Sequence, residues 1–267
     1  MLVIVKIGGK VLEDNLPTLI QEIKDNLFQN QFVLVHGGGK EVTDIASQMG
    51  KEQKFVLSPK GFRSRYTDKE TLEIYTMVMG GINQRITVGL QSQNICSVGL
   101  SGVDGPFVKA KRKKRIIILD DRGRKRVIEG GYTGQIQEVQ PTLLQLLLNH
   151  GYVPVVAPIA ISEEFEPLNV NGDRIAANIA GALKADKLLL LTDVPGIMID
   201  DEPLSHTTVS GLESMLPQIG PGMVTKAYAA MEALNLGVGE VIISPGLEKK
   251  PVSNSLSHKC GTVINHD

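Results

Sequence analysis

The chain has 267 residues, 42% hydrophobic and 4% aromatic, with a formal net charge of −1, which supplies the core of one α/β body with two lobes. No run of about 18 apolar residues occurs and no charged leader precedes the strand at Leu2, so neither a membrane span nor a signal peptide is expected and a cytoplasmic location is. Two cysteines, Cys96 and Cys260, without C-x-x-C spacing argue against a disulfide framework or a zinc site.

Leu2 to Ile7 reads as a buried strand ending in Lys6-Ile7-Gly8-Gly9, where glycines let backbone N–H groups approach an anion. Asn15 or Asp14 can cap a helix with Pro17 in its first turn. A second strand, Phe32 to Val35, runs into His36-Gly37-Gly38-Gly39 and a helix to about Gln48; strand, glycine triplet and helix N-terminus together form an anion-binding geometry. Residues 52–62 read as a short hairpin or loop before Arg63-Ser64-Arg65-Tyr66-Thr67-Asp68, and two arginines there can clamp a carboxylate. Asp68 caps a helix over Leu72, Tyr75 and Met79, and a second helical run covers Ile82 to Leu90.

Cys96 to Leu100 is another strand. From Lys109 to Arg126 the chain carries ten Lys or Arg against Asp120 and Asp121, a local +8 that leaves −9 for the remainder. The spacing predicts a protruding basic β-hairpin over 107–129, turning at Asp120-Asp121-Arg122-Gly123. Like charges flanking one hairpin repel without a counter-charge, which points to an acidic partner. Nucleic acid is disfavoured because the segment has no aromatic residue for base stacking.

Pro141 starts a helix ending near His150, and Val153 to Ala157 is a strand. Asn169-Val170-Asn171-Gly172-Asp173 precedes a helix over 175–183, with Asp173 at the usual cap position and the two asparagines on one side of an extended segment. Lys187 to Leu191 is a buried strand whose carboxyl end, Thr192 to Gly196, is the usual ligand edge of a parallel sheet. Gly220-Pro221-Gly222-Met223 leads into a helix with Lys226 in its first turn, where a cation opposes the dipole unless an anion is near. Val241 to Ser244 and Thr262 to Ile264 complete the strands.

The Walker, dinucleotide, zincin, serine-hydrolase and protein-kinase signatures are all missing. What remains are strand ends with lysines, glycines and one Asp-Asn cluster. Phosphoryl transfer asks for little more than that: in-line substrates, with cations and N–H donors where charge spreads.

Val5-Lys6-Ile7-Gly8-Gly9, His36 to Gly39, Arg65-Tyr66-Thr67, Asn169 to Asp173, Leu191 to Ile197 and Gly222 to Lys226 occur in the order typical of the amino acid kinase family. The resemblance spans the chain and falls in the N-acetylglutamate kinase branch. It implies a three-layer α/β/α sandwich with a mainly parallel open sheet, an acceptor-binding N-lobe over 1–170 and an ATP-binding C-lobe over 171–267. It further implies that Lys6 and Lys226 stabilise the transferred phosphoryl group while Asp173 orients both. Gly38, Gly39, Arg65 and Asn169 would hold the acceptor, Arg65 taking its α-carboxylate. Gly9, Asp193, Val194, Gly196, Met198, Gly220, Gly222 and Met223 would hold ATP, with Mg²⁺ bridging the phosphates.

Arg65-Tyr66-Thr67-Asp68, the basic hairpin and Gly130 to Gly134 are similar to the lysine-biosynthesis kinases that act on α-aminoadipate attached to an acidic amino-group carrier protein of the LysW type. The carrier would meet Lys111, Arg112, Lys113, Lys114 and Arg115, steered by charge. The alternative is an N-acetylglutamate kinase acting on the free small molecule. The chain starts at its first strand, without the extra N-terminal helix of the hexameric arginine-inhibited members, so a homodimer is expected.

Overall fold

The computed structural model describes residues 1–59, 61–220 and 222–267; Lys60, in the expected 52–62 segment, and Pro221, in the expected nucleotide turn, lie outside the described residues. The central sheet has the spatial order His206–Thr208, Thr262–Asn265, Glu240–Pro245, Lys187–Thr192, Leu2–Ile7, Gln31–His36, Val153–Ala157, Ser97–Ser101. Its pairs are parallel except that of Glu240–Pro245 with Thr262–Asn265. Helices cover both faces, giving the expected α/β/α sandwich, and a strand that is dry on both sides reads as the continuous apolar run seen at Leu2 to Ile7.

Alternation along that first strand decides the site. Val3, Val5 and Ile7 pack in one core layer with Leu19, Ile23, Ile82 and Ile86. Ile4 packs in the opposite layer with Ile175, Ile179 and Ala230. Lys6 shares the parity of Ile4 and so faces the helix Gly172–Ala182.

Besides the short pair Met198–Ile199 with Glu202–Pro203, two four-stranded sheets accompany the central one. One contains Pro167–Asn169, Ile159–Ile161, Val108–Arg112 and Gly134–Val139; the other is a ribbon of Arg63–Arg65, Phe55–Leu57, Arg115–Leu119 and Lys125–Glu129. The expected hairpin over 107–129 is therefore divided. Its first strand pairs with Gly134–Val139, and only 115–129 forms the ribbon hairpin. Its charges are also less naked than expected: Lys109 meets Glu138, Arg112 meets Glu166, Lys114 meets Glu164, and Asp120 takes both Arg124 and Arg126.

Three local expectations change. The two helical runs expected after Asp68 form one 24-residue helix, Lys69–Ser92, that continues through Gly80-Gly81. Asp68 caps it as expected, accepting from Thr71 N at 2.8 Å. Asn15 occupies the N-cap position of Leu16–Asn26, but its amide instead donates to Gly246 O and Glu248 O at 2.8 and 3.0 Å. Asn171, not Asp173, caps Gly172–Ala182, its Oδ1 accepting from Asp173 N and Arg174 N at 3.0 Å. No helix among the described residues is long and apolar enough to cross a membrane.

Candidate active site

Three charged side chains meet at the carboxyl end of the central strands. Lys6 reaches up from Leu2–Ile7, Asp173 sits in the first turn of Gly172–Ala182, and Lys226 lies in the helix Met223–Asn235. Asp173 Oδ1 is 2.7 Å from Lys6 Nζ and Oδ2 is 3.2 Å from Lys226 Nζ. Because Asn171 caps the helix, the Asp173 carboxylate is free to turn toward the lysines. Asp173 is also the anion that offsets a lysine near a helix N-terminus.

The cluster is nearly dry, with Lys6 7% and Asp173 5% exposed. Burial pushes the Lys6 ammonium pKa down and neighbouring Lys226 adds to this, while Asp173 opposes both. Burial alone would raise the Asp173 carboxyl; Lys6 and Lys226 overrule it and hold it at about 2. Asp173 therefore stays ionised at neutral pH and does not serve as a proton acceptor.

In front of the cluster lies a cleft of about 1060 Å³, lined by Gly37, Gly38, Gly39, Arg65, Asn169 and Gly172 among others. A Cβ on Gly172 would stand 3.5 Å from Lys6 Cε, so this glycine is the thin cover between cleft and lysine. Gly38 has φ 140°, a backbone open to glycine. No side chain caps the helix Gly39–Gln48 that follows, which leaves its first N–H groups available. His36 is fully buried behind this turn, Nδ1 donating to Gly37 O at 2.8 Å and Nε2 facing Asn83 Nδ2 at 3.3 Å. Burial holds its pKa at about 4, so it is neutral.

Arg65 is tied into the wall. Its Nη2 donates to Gly39 O at 2.6 Å and Thr43 Oγ1 at 3.0 Å, and Nη1 donates to Gln53 Oε1. Its Nε–H has no partner among the described residues. Asn169 Nδ2 donates to Thr67 Oγ1 at 2.9 Å, leaving its oxygen for the cleft. The sequence motif contains Thr67 but gives it no role, and nothing in the sequence singles out Asn83, Arg174 or Glu232; Arg174 pairs with Glu232 through two contacts of 2.7 Å, and no local pattern signals a partner 58 residues away.

The residues expected to hold nucleotide lie at the same sheet edge but do not line this cleft. Gly9 opens the short helix Gly9–Asp14 and packs beside Gly37, whose Cβ would stand 3.6 Å from Gly9 N. Asp193, half-exposed, is 3.9 Å from Lys10. Val194 and Gly196 follow it, Met198 begins the two-residue strand Met198–Ile199, and Gly220, Gly222 and Met223 lead into the helix bearing Lys226. Among the described residues no group of three or more His, Cys, Asp or Glu side chains forms a metal cage. Both oxygens of Asp173 face lysines, Oδ1 toward Lys6 and Oδ2 toward Lys226.

Of the residues expected to meet a carrier, Arg112 is structural: its guanidinium lies 3.9 Å from the Tyr132 ring centre, Nε donates to Gly131 O at 2.8 Å and Nη1 to Glu166 at 2.9 Å. Lys113 lines the cleft, whereas Lys111, Lys114 and Arg115 are exposed.

Residues 1–244 match the model of the amino acid kinase family. A LysW-aminoadipate/LysW-glutamate kinase of Sulfolobus acidocaldarius is 46% identical over 265 residues, covering 98% of this chain and 100% of that protein. One of Saccharolobus solfataricus is 44% identical over 264 residues, with 98% and 99% covered. By structure, N-acetylglutamate synthase of Neisseria gonorrhoeae superposes with a TM-score of 0.83 at 22% identity over all of this chain, which spans 59% of the synthase. Carbamate kinase of Giardia lamblia gives 0.70 at 17% identity, covering 100% of this chain and 98% of the kinase. With the order of motifs, the sandwich and the buried Lys6–Asp173–Lys226 cluster, these matches identify the chain as a member of the amino acid kinase family.

Proposed function

We propose that this enzyme transfers the γ-phosphoryl group of ATP to the side-chain carboxylate of α-aminoadipate, and of glutamate, carried on an acidic LysW-type protein, forming an acyl phosphate for lysine and arginine biosynthesis. The observation that carries the chemistry is the dry Lys6–Asp173–Lys226 cluster behind Gly172, which lines the cleft. A carboxylate acceptor is ionised at neutral pH, so no base is needed. Its oxygen attacks the γ-phosphorus, and the electron pair of the breaking bond goes to the β-phosphate oxygen. Lys6 and Lys226 meet the charge that spreads over the phosphoryl group, and Asp173 keeps both lysines in place.

In this reading residues 1–170 hold the acceptor, through Gly38, Gly39, Arg65 and Asn169, and 171–267 hold the nucleotide. Mg²⁺ comes with the nucleotide phosphates and water. The carrier docks on the ribbon, where Ile117 and Val127 are opposed across the strands, 53% and 63% exposed, with Arg115, Lys125 and Arg126 nearby. An apolar centre with a cationic rim suits a small acidic protein.

A homodimer is supported by the outer face of Lys69–Ser92. Met77 and Val88 are exposed there, and a Cβ on Gly80 or Gly81 would meet nothing within 4 Å. Two glycines inside a helix cost about 1 kcal/mol each, and no contact among the described residues requires them. A second copy crossing this flat face would use the closeness they allow.

The test is acyl phosphate formation trapped as the hydroxamate, with carrier-linked aminoadipate, carrier-linked glutamate and free N-acetylglutamate, at two salt concentrations. Salt-sensitive turnover confined to the linked acceptors is the expected result. Equal or better turnover of free N-acetylglutamate would return the enzyme to the free-substrate kinase.

A further inference from the structure

The floor of the acceptor end of the cleft is unequal in stiffness. Tyr75 and Pro158 line it on one side, and the Tyr75 hydroxyl is tethered to Pro158 O at 3.2 Å. A tethered ring and a proline give a wall with little freedom. Met79 lines the same floor one helical turn further on and is 1% exposed. It lies under the glycine turn: a Cβ on Gly38 would stand 3.4 Å from Met79 Cε and 3.6 Å from Sδ, and would overlap Ile82 Cδ1. Gly38 thus lets the glycine turn lie directly over the thioether tip, with no side chain between them.

An acceptor pinned at both ends, its reacting carboxylate near Lys6 and its other end at Arg65 and Asn169, has to place any extra carbon between those points. A chain one methylene longer then arches away from the straight path and presses on the floor. A stiff floor discriminates against one methylene by roughly 10–200-fold. Methionine is unbranched, with three rotatable bonds and a polarisable sulfur, and fills or vacates irregular space readily.

We propose that Met79 is the adjustable floor of the acceptor site, the residue that lets one pocket take side-chain carboxylates differing by one methylene, the glutamate and aminoadipate lengths. This rests on the acceptor assignment of the preceding section, though not on the carrier. The thioether fills the space above Ile82 when the shorter acceptor is bound and swings aside for the longer one, while Tyr75 and Pro158 keep the opposite wall fixed.

The experiment compares kcat/KM for aminoadipate and glutamate, both carrier-linked, in the wild type, Met79→Leu and Met79→Phe, with KM for ATP and thermal stability recorded beside them. Leu conserves volume but is branched and stiffer. A wild-type ratio within about tenfold is expected, shifted about tenfold or more against aminoadipate in Met79→Leu and further in Met79→Phe, with KM for ATP unchanged. A ratio in Met79→Leu within twofold of wild type overturns the proposal, as does a wild type that separates the two acceptors by more than about 100-fold. Should Met79→Phe not fold, Met79→Leu decides alone. Should the enzyme ignore both linked acceptors and use free ones, the carrier reading fails, and the same ratio taken on N-acetylaminoadipate and N-acetylglutamate decides for or against Met79.

Discussion

Lys6 Nζ and Asp173 Oδ1 are 2.7 Å apart, with side chains 9% and 6% exposed, so the pair is held almost free of water. An ion pair in such a place is weak evidence for stability, because desolvation offsets the attraction. Its use is geometric: one carboxylate fixes two ammonium groups that would otherwise repel.

Asp173→Asn should therefore lower kcat by about 100-fold or more. It should also move the basic limb of the pH–rate profile to lower pH, since it removes the group that raises the Lys6 pKa against burial and Lys226. Lys6→Met should lose comparable activity without the shifted limb. A profile for Asp173→Asn that keeps the wild-type limb would show that Lys6 is not the titrating group.

His36 gives a stability prediction with a definite sign. Its folded pKa of about 4 lies below the ordinary 6.5, so the unfolded chain takes up the proton first as pH falls. Stability from this group is complete above pH 6.5 and is lost progressively toward pH 4. Between pH 7.5 and pH 5 the loss is about 2 kcal/mol. His36→Gln should be less steeply acid-sensitive over that range in urea denaturation; an unchanged slope would place the acid sensitivity elsewhere.

Gly81→Lys should convert the proposed dimer to a monomer, read by light scattering on the eluting peak. The position is exposed and a Cβ there meets nothing within 4 Å among the described residues, so the fold should survive. A variant with unchanged mass would remove this helix face from the interface.

Lys111→Glu with Arg115→Glu should lower kcat/KM for the linked acceptor by about tenfold at low salt and flatten its salt dependence. Any slow use of a free small acceptor should be unaffected. Arg112→Glu is the wrong probe: it removes the stack on Tyr132 and the bonds to Gly131 and Glu166, and so should lower the melting temperature.

Much of this was legible because the strands of a doubly covered sheet are unbroken apolar runs and the glycine turns sit at their carboxyl ends. Lys6 could be placed at a strand end from sequence. That it faces Asp173 follows only from the parity it shares with Ile4. Local patterns misled where a side chain had a distant partner. Asn15 reads as a cap, yet its amide is drawn to carbonyls at Gly246 and Glu248. Gly80-Gly81 reads as a break, yet the helix continues because the residues on its inner side, Val78, Met79, Ile82 and Ile86, are buried and hold it. The basic stretch reads as one hairpin because its charge is continuous, while its hydrogen bonds go to two different sheets.

The central place of Leu2–Ile7 has a consequence for the order in which the protein comes into being. Val3 pairs with Phe32 on one side and with Lys187 on the other. The first partner is made almost at once, but at 5–20 residues per second the second follows roughly 10–40 s later. During that interval this apolar strand has an unpaired edge, a template for association with other chains. Lys6 lies on that strand while Asp173 and Lys226 come much later in the chain, so the three-residue cluster is completed only after the sheet has gained its later strands.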